Sequence, residues 1–517
     1  VEIGVSGISR RWQRAAAALL WVLVATAVWP AARRERADVR RFRSRAEALL
    51  QGTGSSADWG VLIADRDTGE ILYEHNADRY FTPASNAKLF TTALALATLG
   101  PEYRFRTTLE GTGPLDARGT LQGDLVLVGR GDPNLSNRVF PVGEHPETQG
   151  PPEQVLDRLV EAAVAGGLRQ VAGDVVADDS FFTPERYPPG WTVDDLTAGY
   201  GAAVSALVVA DNTLEVEVVP ANSVGAPVGF AVRPWADFYR FHSYATTAPA
   251  GTSNSLQLHR EPGSRDVALT GTLALNAPPV KLELGVDQPA EFAAALLRRL
   301  LQERGVVIYG GTRARHAFEP APPASVVLAA YTSPPLAQAV AYLNKVSQNL
   351  HAECLLRTVA RERTGEGSRE KGLEQLQRFL AAAGIATGVH LVDGSGLSVY
   401  DQVTPRAVVQ LLRYADGQSW GPAFEASLPV AGRDGTLEKR MVDTVAAGRL
   451  QAKTGTLAHV ATLSGYATTL AGERLVFSIL VNGTPPEQRM TGLIDELATA
   501  MVAEIGVPPR RSGREAR

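Results

Sequence analysis

The chain has 517 residues, 45% hydrophobic content and a formal net charge of −4. That is enough for two or three domains with sizeable cores, and it gives no basic field of the kind nucleic acid requires. One cysteine, Cys354, excludes an intrachain disulfide.

Arg10, Arg11 and Arg14 precede an apolar run from Ala15 to Trp29, and Pro30-Ala31-Ala32 follows. This order of charge, apolar run and small residues reads as an export signal within residues 1–37. The alternative is a signal-anchor, although the run is short of the roughly 20 apolar residues a spanning helix needs. With no cysteine after the run, a lipid anchor there is not expected. Seven arginines between Arg33 and Arg45 oppose translocation.

Residues 38–100 open the first part of a candidate catalytic domain, beginning with a charged helical lead-in. Trp59–Asp65 and Glu70–His75 flank Asp67-Thr68-Gly69 and predict a hairpin. In Thr82-Pro83-Ala84-Ser85-Asn86-Ala87-Lys88, Pro83 suits a helix start. Apolar residues at helical spacing then run to Gly100-Pro101. Ser85 and Lys88, at i and i+3, share one face of a helix over about residues 84–99. Serine needs a base to become a nucleophile, and a lysine of lowered pKa is one. Backbone N–H groups at the helix start suit a developing oxyanion. A plain helix cap is the bland reading of Ser85.

Residues 213–275 are rich in Val, Thr, Pro and Gly and read as short strands, and the whole of 101–280 reads as inserted β-rich material. Arg104–Glu110, Thr120–Val128 and Gln170–Ala177 predict strands, and Glu153–Ala165 a helix. Arg130-Gly131-Asp132 reads as a turn rather than an adhesive motif. Asp178-Asp179-Ser180 lacks the further ligands of a metal site, so no metal is expected. Helices are predicted at 290–304, 336–344, 350–363, 369–383 and 404–416. A strand at 450–454, a hairpin over 461–482 and a final helix at 487–504 complete residues 281–506. The basic tail 507–517 reads as disordered.

Two further motifs alter the reading of Ser85. Ser347-Gln348-Asn349 lies between two helices, and Lys453-Thr454-Gly455-Thr456 at the end of a strand. Ser-x-x-Lys, Ser-x-Asn and Lys-Thr-Gly, in that order, resemble the penicillin-recognising serine peptidases and β-lactamases. The long gap between Lys88 and Ser347 narrows the resemblance to the D-alanyl-D-alanine carboxypeptidase/endopeptidase family of the penicillin-binding protein 4 type (peptidase family S13). Tyr200–Leu207, Ser347–Glu353, Asp393–Ser398 and Gly432–Leu437 resemble stretches of that family. Gln348, where an acidic residue is more usual, and Val399, where an arginine often follows Ser398, depart from it.

The resemblance implies an α/β fold: a serine β-lactamase/DD-peptidase-like catalytic domain, with an antiparallel sheet flanked by helices, interrupted by a β-rich insertion of two smaller domains. It implies Ser85 as nucleophile, Lys88 as base and Ser347 as proton relay. Asn349, Lys453, Thr454 and Thr456 would bind substrate, and the N–H groups of Ser85 and Thr456 would form the oxyanion hole. Lys453 is expected to keep Lys88 neutral by like-charge repulsion. No cofactor is implied. The expected partners are peptidoglycan stem peptides, with β-lactams as covalent inhibitors, outside the cytoplasm and with an N-terminal membrane anchor as one possibility. The competing readings are a β-lactamase- or esterase-like hydrolase on the same fold and a catalytically silent wall-binding protein. His351-Ala352-Glu353 imitates a zinc-deaminase signature, but the two further cysteines are missing. Cys354, His351 and His459 read as packing or hydrogen-bonding residues, and Asp393-Gly394-Ser395-Gly396 as a turn at the site rim.

Overall fold

The computed structural model describes residues 36–52, 57–234, 237–320, 326–485 and 490–508. Residues 1–35, which hold the apolar run of the export signal, and nearly all of the basic tail lie outside the described residues. No helix among the described residues is long and apolar enough to cross a membrane.

Both ends of the chain build one antiparallel sheet. Its strand order is Ile71–His75, Asp58–Asp65, Arg474–Asn482, Val460–Thr468, Leu450–Leu457. Successive side chains of a strand face opposite ways, and here both faces are covered. Trp59, Val61 and Ile63 join Phe477, Ile479 and Val481 under the helices Ala37–Gly52 and Thr491–Glu504. Leu62, Ala64, Val476 and Leu480 face the other core, built with helices Ala87–Leu99, Leu336–Val346, Asn349–Thr364 and Pro405–Asp416. Double burial explains the near-continuous apolar runs of the central strands. Each fully buried Leu, Ile or Phe contributes about 1.5–3 kcal/mol. Leu450–Leu457 is the edge strand, and its outer side borders Ser85.

The insertion has two cores. The larger lies on a five-stranded sheet, Thr312–Arg315, Val175–Asp178, Leu125–Val128, Arg106–Gly111, Val326–Thr332, with helices Gln154–Ala165 and Pro289–Glu303 packed on it. The smaller, around Val216, Val218, Leu256 and Leu269, belongs to short strands between Thr213 and Gly285. The expected boundary at residue 280 needs correction. The helix Pro289–Glu303 and the strands Thr312–Arg315 and Val326–Thr332 belong to the larger inserted sheet, so the chain returns to the catalytic core near residue 333. Helical periodicity reports an apolar face, not the domain against which that face packs.

The predicted strand at 120–128 also divides. Thr120–Leu121 and Leu125–Val128 sit in different sheets, with Gln122-Gly123-Asp124 between them. The same break recurs at Gln170–Val171/Val175–Asp178 and at Val307–Ile308/Thr312–Arg315.

Candidate active site

Pro83 does not enter a regular helix. It precedes a single 3-10 turn, Ala84–Asn86, from which the α-helix Ala87–Leu99 continues. Ala84 has φ +47°, in the left-handed region that non-glycine residues seldom adopt. This turn sets Ser85 half-buried at the head of the helix, with Lys88 wholly buried one turn on.

Lys88 Nζ lies 2.9 Å from Ser85 Oγ. It donates to Asn349 Oδ1 and to the Ser395 carbonyl, both at 2.6 Å. Burial pulls its pKa down to about 7, against the opposing pull first of Asp393 and then of Glu353. A neutral amine has two N–H donors and one lone pair. Two carbonyl oxygens take the donors, and the lone pair is left for the Ser85 hydroxyl.

Ser347 ends the helix Leu336–Val346 with φ +63°, and Asn349 begins the next helix. Lys453 Nζ donates to Ser347 Oγ at 2.9 Å and to the Thr454 carbonyl at 2.9 Å. Lys453 is held well below the ordinary lysine range, first by burial and then by the Lys88 charge. The expectation that Lys453 keeps Lys88 neutral is therefore revised: burial, not the Lys453 charge, lowers Lys88, whereas the Lys88 charge adds to burial in lowering Lys453.

Thr454 Oγ1 donates to Thr436 Oγ1 at 2.7 Å. Ala452 turns its N–H away from the sheet, to the Pro429 carbonyl at 2.9 Å. By the two-residue alternation of an antiparallel ladder, Thr454 and Thr456 do the same. A Cβ on Gly455 would lie 3.0 Å from the Ser85 nitrogen and 2.8 Å from the Pro83 carbonyl oxygen. Glycine there lets the strand edge approach the Ser85 turn. Thr456 itself is exposed. All seven residues expected from the motifs thus line one site.

Several supporting residues were not singled out as site residues from the sequence. Asn86 Nδ2 donates to the Lys453 carbonyl and to Thr462 Oγ1. Asp393, expected at the rim, is buried beneath the site. Its carboxylate accepts from the backbone of Ser395, Gly396 and Ser398 and from Trp191 Nε1. That turn presents the Ser395 carbonyl to Lys88. Burial holds Asp401, beside Asp393, well above the carboxylate range. Protonated, it donates to Asp393, whose pKa that bond helps to lower. Cys354 is buried with its thiol pushed up by desolvation, and His459 Nδ1 faces the Thr484 carbonyl. Asp132 of the Arg-Gly-Asp triplet is fully buried. No cluster of metal-ligating side chains occurs among the described residues.

The fold thus brings a half-buried serine to a buried lysine amine, with a second lysine and a second serine beside them. The family model described as D-Ala-D-Ala carboxypeptidase 3 (S13) matches residues 44–501, and the chain belongs to that family. It is 36% identical over 460 residues to a D-alanyl-D-alanine carboxypeptidase of Actinomadura sp. (strain R39), covering 86% of this chain and 82% of the relative. It is 26% identical to the D-alanyl-D-alanine carboxypeptidase DacB of Haemophilus influenzae, covering 84% and 87%. The crystal structure of penicillin-binding protein 4 (dacB) from Haemophilus influenzae superposes with a TM-score of 0.76 at 25% identity, covering 88% of this chain and 98% of that one. The chain is accordingly a serine-type carboxypeptidase of the penicillin-binding class, and the fold expected from the motifs stands.

Proposed function

We propose that the protein removes the terminal D-alanine from peptidoglycan stem peptides, and cleaves D-Ala cross-links, through a Ser85 acyl-enzyme. The observation that carries this reading is the Lys88 amine, 2.9 Å from Ser85 Oγ with its other two contacts to carbonyl oxygens. Ser85 Oγ attacks the carbonyl carbon between two D-alanines, and its proton passes to Lys88 Nζ. The N–H groups of Ser85 and Thr456 stabilise the oxyanion, donors of a kind worth about 10²–10³ in rate. As the C–N bond breaks, the proton taken up by Lys88 passes through Ser347 to the departing amine, leaving Lys88 neutral again. Water, deprotonated by Lys88, then attacks the ester and frees Ser85. Lys453, Thr454 and Thr456 hold the substrate carboxylate, whose charge restores that of Lys453, and Asn349 holds a substrate amide.

A β-lactam presents a similar carbonyl to Ser85, and its acyl-enzyme is the inhibited state. The substrate lies outside the cytoplasm, in accord with the export signal read at the N-terminus. Mixing the protein with a penicillin and measuring intact mass tests the reading. One adduct per chain, mapped to Ser85 and absent from Ser85→Ala, is expected. Peptide hydrolysis persisting in Ser85→Ala overturns it.

A further inference from the structure

Asp211 lies in the insertion, on the turn Ala210–Asn212, where three successive non-glycine residues have φ between +50° and +57°. This turn holds a carboxylate against the two helices that flank Ser347-Gln348-Asn349. Asp211 Oδ1 lies 2.8 Å from His351 Nε2, and Oδ2 accepts from Gln348 Nε2 at 3.3 Å. His351 and Gln348 belong to the start of the helix Asn349–Thr364, and Gln348 Oε1 also accepts from the Leu350 N–H as its cap. The same carboxylate pairs with the buried guanidinium of Arg138, which stacks 4.1 Å over the Tyr342 ring on the preceding helix Leu336–Val346. Ser347, left-handed at φ +63°, is the joint between those helices.

A second strap comes from the same insertion: Asn349 Nδ2 donates to the Tyr200 carbonyl at 2.9 Å. Asp211 touches neither Ser85 nor Lys88. It touches what fixes the angle between the two helices, and that angle sets Ser347 Oγ against Lys453 and Asn349 Oδ1 against Lys88. Arg138 holds the Asp211 carboxyl far below the ordinary carboxylate range, so the strap is charged at working pH. His351, desolvated, is held toward its neutral form.

We infer that Asp211 is a positioning residue for the reaction, through which the inserted domain holds the Ser347–Asn349 joint in its reactive geometry. The inference rests on the acyl-enzyme reading above. Small misplacements of reacting groups cost rate far more than they cost binding.

The test uses the full chain and a fluorescent penicillin, separating the non-covalent dissociation constant from the first-order acylation rate. Asp211→Ala alone strands a buried Arg138 charge and risks unfolding. The informative variant is therefore Arg138→Leu/Asp211→Leu, which removes both charges. It is expected to unfold at a temperature close to wild type, to bind penicillin within about threefold, and to acylate at least tenfold more slowly. Acylation at the wild-type rate, or an equal loss in binding and rate, overturns the role of Asp211. If the double variant does not fold, Gln348→Glu decides, because its carboxylate still caps the Leu350 N–H but repels Asp211 and leaves the ion pair in place. An unchanged acylation rate in that variant overturns the role. Failure of the wild-type protein itself to acylate would instead overturn the acyl-enzyme reading, and the role with it.

Discussion

Asn86 Nδ2 donates to the Lys453 carbonyl at 3.1 Å, fastening the first motif to the third across the edge of the sheet. The same amide reaches Thr462 Oγ1, which donates in turn to the Pro83 carbonyl. The residue between Ser85 and Lys88 is thus the tie that sets helix against strand. Asn86→Ala would remove the buried donor from which the Thr462 hydroxyl and the Lys453 carbonyl both accept. A loss of about 1–3 kcal/mol is expected, with a slower penicillin acylation. Chemical denaturation and acylation kinetics on the same preparation check both. Unchanged stability would show that the tie contributes nothing.

Lys88 gives the enzyme its acid limb. With a pKa near 7, acylation should rise with pH through about 7 and level off above it. The stability effect has the same sign. Unfolded Lys88 holds its proton up to about 10.5, and the folded residue releases it at about 7. Between those values the unfolded state binds more protons, so this group's cost to stability is full below about 7 and fades toward pH 10. Lys88→Met should abolish acylation and leave stability at pH 7 equal or higher. A clear loss of stability would mean that its hydrogen bonds outweigh its burial.

How much of this was legible in the sequence follows from which groups do the work. Ser85, Lys88, Ser347 and Lys453 are side chains in short motifs, and their order alone brought them to one site. The sheet was legible because its strands are buried on both faces, and the hairpin expected over 461–482 forms as the strands Val460–Thr468 and Arg474–Asn482. The Ser395 carbonyl was not legible, since a backbone acceptor has no residue signature. Asp211 and Trp191 were hidden by distance along the chain. The return point of the insertion was hidden because an amphipathic helix such as Pro289–Glu303 reads alike on either domain. The Gly-Asp pairs at 123–124 and 173–174 did carry a signal for the split strands. Each glycine sits where a Cβ would meet backbone.

Gly396 packs the Asp393 turn against Ala84, the neighbour of the nucleophile. Its φ is +81°, and a Cβ there would overlap the Ala84 carbonyl oxygen. Gly396→Ala combines backbone strain with a clash that no side chain can relieve. A destabilisation of about 1–3 kcal/mol or more is expected. Acylation should fall further than Asn86→Ala lowers it, because both Ala84 and the Ser395 carbonyl must move. Thermal unfolding and stopped-flow acylation measure these. A variant of normal stability and rate would mean that the turn is free to shift.

The Asp393–Asp401 pair makes an opposite prediction. Asp401 Oδ1 accepts from the Val392 N–H at 2.6 Å, and Oδ2 is buried with no donor facing it. A proton on Oδ2, donated to Asp393, resolves the arrangement. An asparagine has the same shape, an acceptor for Val392 and a donor for Asp393 that never ionises. Asp401 has a folded pKa raised above its unfolded value. The folded state therefore holds a proton that the unfolded state has lost, and stability declines as pH rises from about 4. Asp401→Asn removes that decline. It should acylate at the wild-type rate and be equally or more stable at pH 7, with the gain shrinking as pH falls toward 4. Asp393→Asn loses one of the two oxygens that five donors share and should destabilise at every pH. Unfolding curves of both variants between pH 4 and 8 measure this, and a destabilised Asp401→Asn would place the charge on Asp401 instead.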